Sequence, residues 1–357
     1  MRNTICFLIV FFVLIASTNC SAQQTDLKRD DFVSAASFIV GTYQPKATDY
    51  SSKQSADAAK TFLKTLNDDQ RKQATHKLDS SERRKWTNLP APKNAGGIRF
   101  GDLNKTQIEA ACELLRSVMS KSGYEKTQNI MLADDQLLRG GRPRPGFGIE
   151  NFSIVIFGEP SEKSKWAVQL DGHHVGLNFA IEGDKLTMSP SFIGTQPSDF
   201  KLGETTISPL KGEIVVAYEL VESLTDEQRK QAVVRSQRTD LRAGPGADGK
   251  IPKLVGVPCK GFSDEQQSML LKLISNWTSN LPKTLADARI EQIKKELPEM
   301  RFAWNGATQK GSDISYSIQS PSLIIEYACQ SLGGDPLQHI HTIYRNPKNE
   351  YGGQLDK

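Results

Sequence analysis

The sequence predicts an α+β protein made of two related halves, each with helices followed by a small antiparallel β-meander, packed as one globular unit. Two helix-start motifs each recur at nearly the same offset, and a series of short β-branched and aromatic runs follows each helical part. Such runs, separated by Gly and Pro, are typical of antiparallel strands, and helices that precede a sheet in this way indicate the α+β class.

The composition is that of an ordinary globular protein. The chain has 357 residues, of which 38% are hydrophobic and 24% charged, and a net charge of +4. This length suits one large domain or two packed lobes. The net charge is mild and no dense Lys/Arg block occurs, so we expect no nucleic-acid partner.

Residues 1–22 have the pattern of a secretory signal peptide. A basic start precedes the apolar run from Ile5 to Ala16, and small residues follow it up to a predicted cleavage after Ala22. The run is shorter than the roughly 20 residues of a spanning helix, so we expect a periplasmic or extracellular protein with no membrane span after cleavage. A lipidated Cys20 and an uncleaved anchor are the less favoured alternatives. The mature chain keeps three widely spaced cysteines, interpreted as small buried residues: Cys112, Cys259 and Cys329.

The predicted halves cover residues 61–200 and 201–352, after an N-terminal helix (31–40) and connection within residues 23–60, and before a tail at 353–357. Leu66–Ala74 recurs as Leu224–Ala232, an offset of 224 − 66 = 158. Asn104 with Gln107, and Ser263 with Gln266, both resemble capping boxes that start apolar helices, at an offset of 263 − 104 = 159. Two matches at one offset favour an internal duplication.

The strands are predicted from runs rich in β-branched and aromatic residues, four in each half. They are 152–158, 166–170, 175–181 and 186–188 in the first half, and 301–304, 315–319, 323–327 and 339–344 in the second. The turn-rich stretch Leu241–Gly249 is interpreted as an ordered loop. The basic Gly/Pro segment Arg139–Gly146, with Arg142 at its centre, could bind an anion, although a solvated loop is the simpler interpretation.

Four of the five histidines form two tight clusters, His173-His174 and His339-x-His341. In a strand, alternate residues share a face, so His339 and His341 should point the same way and could converge on one metal ion. If His173 and His174 also lie in a strand, they face opposite sides. The apolar alternation that starts at Val175 then favours His174 as the partner of the C-terminal pair.

Glu326 lies within an apolar strand, where an unpaired charge is costly. We therefore expect a cation beside it, either a metal ion or Arg345. The full set of predicted metal ligands for a divalent ion (zinc, copper or iron) is His174, His339 and His341, with His173 or Glu326 in addition. The alternative is that these histidines are hydrogen-bonded polar residues on a sheet.

A series of motifs spread over residues 150–352 resembles the domain of unknown function 3500 family of exported bacterial proteins. The motifs are Phe157-Gly158-x-Pro160, Trp166, Gly172-His173-His174-x-x-x-Asn178, Pro190-x-Phe192-x-Gly194, Pro197, Phe302-Ala303-Trp304-x-Gly306, Pro321, Ile325-Glu326-Tyr327 and His339-Ile340-His341-x-x-x-Arg345-x-Pro347-x-Asn349-x-x-Gly352. The resemblance implies a shared site at both histidine clusters, Glu326 and Arg345, but no particular activity. This chain departs from the family pattern at Ser317, Ser320, Asn346 and Glu350, and if those positions line the site, its activity is altered or lost.

The leading hypothesis is an exported protein with a His-rich metal site between the two meanders, acting as a hydrolase or oxidoreductase on a small molecule or an envelope polymer. A second hypothesis is a metal-free module that binds an anionic or carbohydrate-like ligand through Arg345, Arg142 and Asn178. A third is a structural envelope protein. Metal content separates the first hypothesis from the others.

Overall fold

The computed structural model describes residues 49–90, 96–139 and 146–353. The predicted signal peptide (1–22), the predicted helix at 31–40, Arg142 and nearly all of the predicted tail lie outside the described residues. Within the described ranges the chain is α+β, with eight α-helices and a mixed sheet of 12 strands. None of the helices described there combines the length and the apolarity that a membrane crossing requires.

The helices begin where the sequence offers caps. They are α1 (Ser52–Thr65), α2 (Asp68–Ala74), α3 (Lys105–Val118), α4 (Lys121–Arg139), α5 (Lys211–Ser223), α6 (Asp226–Ala232), α7 (Asp264–Thr278) and α8 (Lys283–Lys294). Four of them, α2, α3, α6 and α7, start with a capping box in which the N-cap side chain and a Gln three residues later satisfy each other's backbone amides. The predicted boxes at Asn104 and Ser263 are both present.

The strands are more numerous than the sequence predicts. They are β1 (Thr75–His76), β2 (Ile98–Arg99), β3 (Ser153–Phe157), β4 (Trp166–Gly172), β5 (Val175–Glu182), β6 (Lys185–Thr195), β7 (Phe200–Leu202), β8 (Thr205–Ile207), β9 (Val233–Arg235), β10 (Val257–Pro258), β11 (Arg301–Asn305), β12 (Ser315–Ser320), β13 (Leu323–Cys329) and β14 (Ile340–Arg345). The eight predicted strands correspond to β3–β6 and β11–β14. The fourth of them, predicted at 186–188, continues through Pro190 to Thr195.

Twelve of the described strands form one continuous sheet, where the sequence predicts a small antiparallel meander in each half. Its main path runs β1-β3-β4-β5-β6-β14-β13-β12-β11-β10, because β6 pairs antiparallel with β14, while β7 and β8 form a separate hairpin. The sheet is mixed, since β1 lies parallel to β3 and β9 lies parallel to β11. β1 and β9 directly follow the capping-box helices α2 and α6. Both strands are too short for an apolar pattern to predict them from sequence.

One face of the sheet packs against the helices to form the main hydrophobic core. Alternate residues of each strand point into it, for example Val175, Leu177 and Phe179 of β5, and the same core cluster contains helical residues such as Leu270 and Ile274 of α7. The two faces can be assigned on β14, where Trp277 of α7 donates its indole N–H to the Thr342 hydroxyl at 3.2 Å. His341 and Ile343 therefore lie on the opposite face, which we call the second face.

The second face is also buried, although loops cover it instead of helices. Trp86, Phe192, Ala243, Ile324 and Ile343 form a small cluster there. Trp86 packs directly on Gly176 of β5, where a Cβ atom would lie 2.4 Å from the indole ring. This covering excludes water from the polar side chains that β4, β5, β13 and β14 present on this face.

Candidate metal centre

The adjacent histidines of the first cluster form the two-residue turn between β4 and β5, and are not part of a strand. Gly172 pairs with Val175 across the turn, and His174 adopts a positive φ of 66°. The His174 N–H donates to the Asn88 carbonyl at 3.2 Å, and its carbonyl accepts from the Gly194 N–H at 2.8 Å. The strand alternation used to choose His174 does not apply in a turn, and these two hydrogen bonds fix its orientation instead.

The second cluster lies at the start of β14. His339 is extended directly before the strand, and its carbonyl accepts from the Gln330 N–H at 2.7 Å. Because alternate residues share a face, the rings of His339 and His341 lie on the same side, with centroids 4.7 Å apart. His339 Nδ1 lies 2.6 Å from the Leu332 carbonyl oxygen, which can only accept, so Nδ1 carries the proton and Nε2 offers its lone pair.

Three imidazoles from the two clusters converge in space. His339 Nε2 lies 2.9 Å from His174 Nε2 and 3.0 Å from His341 Nε2, and the candidate ligand atoms of all three residues lie within 4.8 Å of one another. Two nitrogen ligands of a tetrahedral metal ion are about 3.3 Å apart when each bond is about 2.0–2.1 Å long. A single lone pair on His339 Nε2 cannot serve two ring N–H donors well, whereas a cation among the three nitrogens uses every lone pair. The triad could therefore hold a metal ion.

Gly194 of β6 has no side chain, and this leaves room for the rings of His174 and His341. It pairs with His341 across the β6–β14 seam. A Cβ atom at this position would lie 2.6 Å from the Ile340 carbonyl oxygen, 2.9 Å from His174 Cδ2 and 3.2 Å from His341 Cδ2. Any side chain here would therefore push against both rings, so a glycine is required by this packing and not by backbone conformation.

Burial keeps the three imidazoles neutral. Desolvation, with smaller contributions from the neighbouring histidines, holds the pKa of His174 well below its usual 6.5 and lowers the pKa of His341 to about 3. Desolvation also lowers the pKa of His339. Neutral imidazole is the form that binds a metal, so the ligands need not lose protons first at neutral pH.

His173 belongs to the surroundings of the triad and not to the triad itself. Its Nδ1 lies 2.5 Å from Asp134 Oδ1 of α4, and its ring lies against the His174 ring with centroids 3.7 Å apart. The second carboxylate oxygen of Asp134 accepts from the Gly148 N–H at 2.7 Å. Asp134 therefore anchors the ring that packs on a ligand, an outer support of the kind that orients metal-binding histidines.

Glu326 is not brought to the ring nitrogens. Its carboxylate accepts from the backbone N–H groups of Arg242 and Ala243 at 2.7 and 2.8 Å, and from the Arg242 guanidinium at 2.9 Å. Glu326 pairs in register with Ile343, two residues beyond His341, and turns toward the loop that covers the second face. The expected cation is thus Arg242, and neither Arg345 nor a metal ion is needed to compensate the charge.

Arg345 and Asn178 are also satisfied within the protein. Arg345 is 1% exposed, pairs with Glu350, and donates to the Lys250 carbonyl at 3.1 Å. Asn178 donates to the Pro190 carbonyl at 2.9 Å and accepts from the Gln169 amide. Among the described contacts neither side chain touches the triad, so their predicted role in binding a ligand receives no support from their surroundings.

The four departures from the family pattern lie around these buried networks. Ser317 accepts from Arg242 at 3.4 Å, Ser320 donates to Glu296 at 2.5 Å, and the Asn346 N–H donates to the Ser189 hydroxyl at 2.8 Å. Glu350 is the partner of Arg345. In the described contacts none of the four meets a triad ring. Ser317 therefore lies beside Arg242, the partner of Glu326, and Glu350 beside Arg345, while none of the four positions belongs to the histidine cluster.

Three contributions to the site were not predicted from the sequence: Asp134, the Leu332 carbonyl and the space above Gly194. Gly194 stands in one of the motifs quoted above, which was the available signal for it. Asp134 lies in an amphipathic helix 39 residues before His173, and a carbonyl has no sequence signature, so neither could be found from pattern.

The fold and site define the protein as an α+β protein with a buried cluster of three histidines that could hold a metal ion. Comparison with family models gives one match, to the family described as Protein of unknown function (DUF3500), over residues 48–353. The chain belongs to this family, as the motifs predict. No significant match was found to a curated protein, nor to a solved structure.

Proposed function

We propose that this protein is an exported, divalent-metal-dependent hydrolase whose ion is held by His174, His339 and His341. The convergence of three neutral Nε2 atoms from distant parts of the chain is the observation that carries the proposal. Zinc is the expected ion, because it favours tetrahedral sites with nitrogen ligands. Copper or iron would bind the same donors and would favour oxidation chemistry instead.

The number of ligands supports a catalytic role over a structural one. Within residues 49–90, 96–139 and 146–353, three side chains contribute to the cluster, while His173 is engaged with Asp134 and Glu326 with Arg242. Three protein ligands leave a fourth position for water or substrate, which is the arrangement of catalytic zinc sites. An ion held by three neutral nitrogens keeps its double charge, and it lowers the pKa of a water molecule that binds it.

The proposal is tested by metal analysis of protein purified without an affinity tag. We expect close to one equivalent of a transition metal in the wild type and almost none in the double variant His339→Ala/His341→Ala, because one remaining imidazole cannot retain the ion. His76→Ala is the matched control, since His76 lies outside the cluster and contacts the Gly96 carbonyl. Unchanged metal content in the double variant, with a folded protein by circular dichroism, contradicts the proposal.

Export is the second part of the proposal, and it rests on the N-terminal pattern of residues 1–22. The substrate would then be a small molecule or a polymer of the cell envelope. Sequencing of the mature N-terminus tests export, and we expect it to begin at Gln23.

We further propose that the chain arose by duplication of a helix-and-meander unit. Several hydrogen bonds occur twice at equivalent places. The Gln70 and Gln107 side chains bond each other, as do Gln228 and Gln266, and Gln107 and Gln266 each also donate to a carbonyl at the end of the first helix of their half. The Gly158 N–H donates to the carbonyl of His76 in β1, and the Gly306 N–H donates to that of Arg235 in β9. The seam between β6 and β14 would join the two units.

A further inference from the structure

Two exposed leucines lie in segments that hydrogen-bond to residues of the histidine triad. Leu332 is 82% exposed and Leu89 is 58% exposed. They are two of the three most exposed large hydrophobic side chains of the described residues, and the third, Ile251 at 65%, lines a cavity near the β12–β13 turn with Gln319 and Pro321. A single exposed leucine needs no explanation, but two beside one candidate metal centre point to an apolar contact there.

Backbone hydrogen bonds tie both leucines to the ligand residues. The Leu332 carbonyl accepts from His339 Nδ1 at 2.6 Å. The carbonyl of Asn88, directly before Leu89, accepts from the His174 N–H at 3.2 Å. Each cluster is therefore hydrogen-bonded to a segment that carries one of the leucines, and the Nε2 atoms of His174 and His339 are 2.9 Å apart.

The segment that carries Leu332 is anchored where it leaves the sheet. The Gln330 N–H donates to the His339 carbonyl at 2.7 Å, the Gln330 amide donates to Asp240 at 3.0 Å, and the Ser331 hydroxyl accepts from Arg238. The backbone directly before Leu332 is therefore held in place. An apolar ligand group that covers it removes apolar surface from water without reordering the loop.

Two aromatic side chains pack against histidine rings at the site. The Phe192 ring meets the His341 ring in a T-shaped contact with centroids 5.1 Å apart, and the half-buried Phe147 ring meets His173 in the same way at 4.6 Å. Phe192 is itself buried, and His341 is the least buried of the three candidate ligands, so an approach to a bound ion would pass His341.

We infer that the substrate is an acyl compound with an apolar chain, which places its carbonyl group at the metal ion and its chain against Leu89 and Leu332. This inference rests on the proposed metal-dependent function and narrows its substrate class. A densely hydroxylated sugar would leave both leucines in water and gain nothing from them.

Hydroxamic acids test the inference, because they coordinate zinc and carry an acyl chain of chosen length. The zinc-loaded protein is titrated with acetohydroxamic, butyrohydroxamic and hexanohydroxamic acids by calorimetry. We expect affinity to rise with chain length by up to about fourfold for each buried methylene. In Leu89→Ser/Leu332→Ser, which keeps both backbone carbonyls, the affinity for acetohydroxamic acid should persist while the gain with chain length is lost.

Ile251→Ser is the matched control, because it removes an equally exposed apolar side chain away from the triad, and it should keep the full gain. An affinity that does not change with chain length in the wild type overturns the inference but leaves the metal site in place. The same holds if the double serine variant retains the gain. If zinc binds stoichiometrically but no hydroxamic acid binds, both the open coordination position and the inference are wrong. If zinc does not bind, the proposed function itself is wrong.

Discussion

At the scale of single residues, the candidate site depends on space and hydrogen bonding as much as on its ligands. His174 is oriented by two backbone hydrogen bonds in a turn, and His339 by the Leu332 carbonyl. Gly194 leaves room for two rings that a methyl group would displace. These hydrogen bonds and this space hold the three imidazoles together as one cluster.

Gly194→Ala should therefore damage the site without removing a ligand. The added Cβ would meet the Ile340 carbonyl at 2.6 Å and two ligand rings. Overpacking of this kind costs about 1–3 kcal/mol, and we expect weaker zinc binding together with a lower free energy of unfolding. Chelator competition and urea denaturation measure the two effects. Gly261→Ala, where a Cβ meets nothing within 4 Å, is the control, and equal effects in both variants would contradict the argument.

The buried imidazoles also make the stability of the metal-free protein depend on pH. The pKa of His341 is about 3 in the folded protein and near 6.5 when the chain unfolds. Between these values only the unfolded chain takes up the proton, so stability is full above pH 6.5 and is lost as the pH falls toward 3. His174 and His339 act in the same direction.

His341→Gln should reduce this dependence in the presence of chelator. We expect the slope of the unfolding free energy with pH, measured between pH 6 and pH 5, to fall by up to about 1.4 kcal/mol per pH unit. Urea denaturation at several pH values measures it. The same slope in wild type and variant would show that the ring accepts a proton in the folded protein.

At the scale of elements, helix starts were the most predictable feature of the chain. The boxes at Asn104 and Ser263 follow from one polar residue and a Gln three positions later, which is a local signal. The end of β6 was not predictable, because Pro190 interrupts the apolar pattern of the sequence. In the structure the strand continues past this proline, although its pairing with β5 is irregular near Leu177. Arg242, the partner of Glu326, is 84 residues away and likewise left no local trace.

The repeated glutamines give a test of the proposed duplication at this scale. Gln107 and Gln266 are buried, cap their own helices and bond a second glutamine and a backbone carbonyl. Gln107→Ala and Gln266→Ala each leave buried polar groups unpaired, and we expect each to lower the unfolding free energy by about 1–3 kcal/mol. Ser268→Ala, on the exposed side of α7, should change it little. Clearly unequal losses in the two glutamine variants would count against equivalent roles.

At the scale of the whole molecule, the predicted halves share interactions that should make them unfold together. β6 and β14 join the sheet, and Lys126 of α4 donates to Glu213 of α5 at 2.6 Å and to the Asn276 carbonyl of α7 at 2.7 Å. The Ser120 N–H donates to the Asn280 carbonyl at 2.9 Å. The sequence predicted one globular unit, but it could not reveal the seam, because strand pairing between distant segments depends on tertiary contacts.

Lys126→Met tests the contact between the halves. It would leave the Glu213 carboxylate, 1% exposed, without its cation, and breaking a buried pair in this way costs about 3–5 kcal/mol. We expect a single unfolding transition at lower urea in far- and near-ultraviolet circular dichroism. Lys310→Met, which removes an exposed pair with Glu222, should cost less than about 1 kcal/mol. Two separate transitions in the wild type would show that the halves fold independently.

The ligands on either side of the β6–β14 seam, His174 and His339, are 165 residues apart in the chain. Bringing such distant residues together costs an unfolded polypeptide about 4–5 kcal/mol in loop-closure entropy, so an unfolded chain does not hold the three imidazoles together. The three-histidine cluster therefore forms only as the chain folds. If the protein is exported and binds a metal ion as proposed, it would acquire the ion where it folds, and the ion would then link the two predicted halves across the seam.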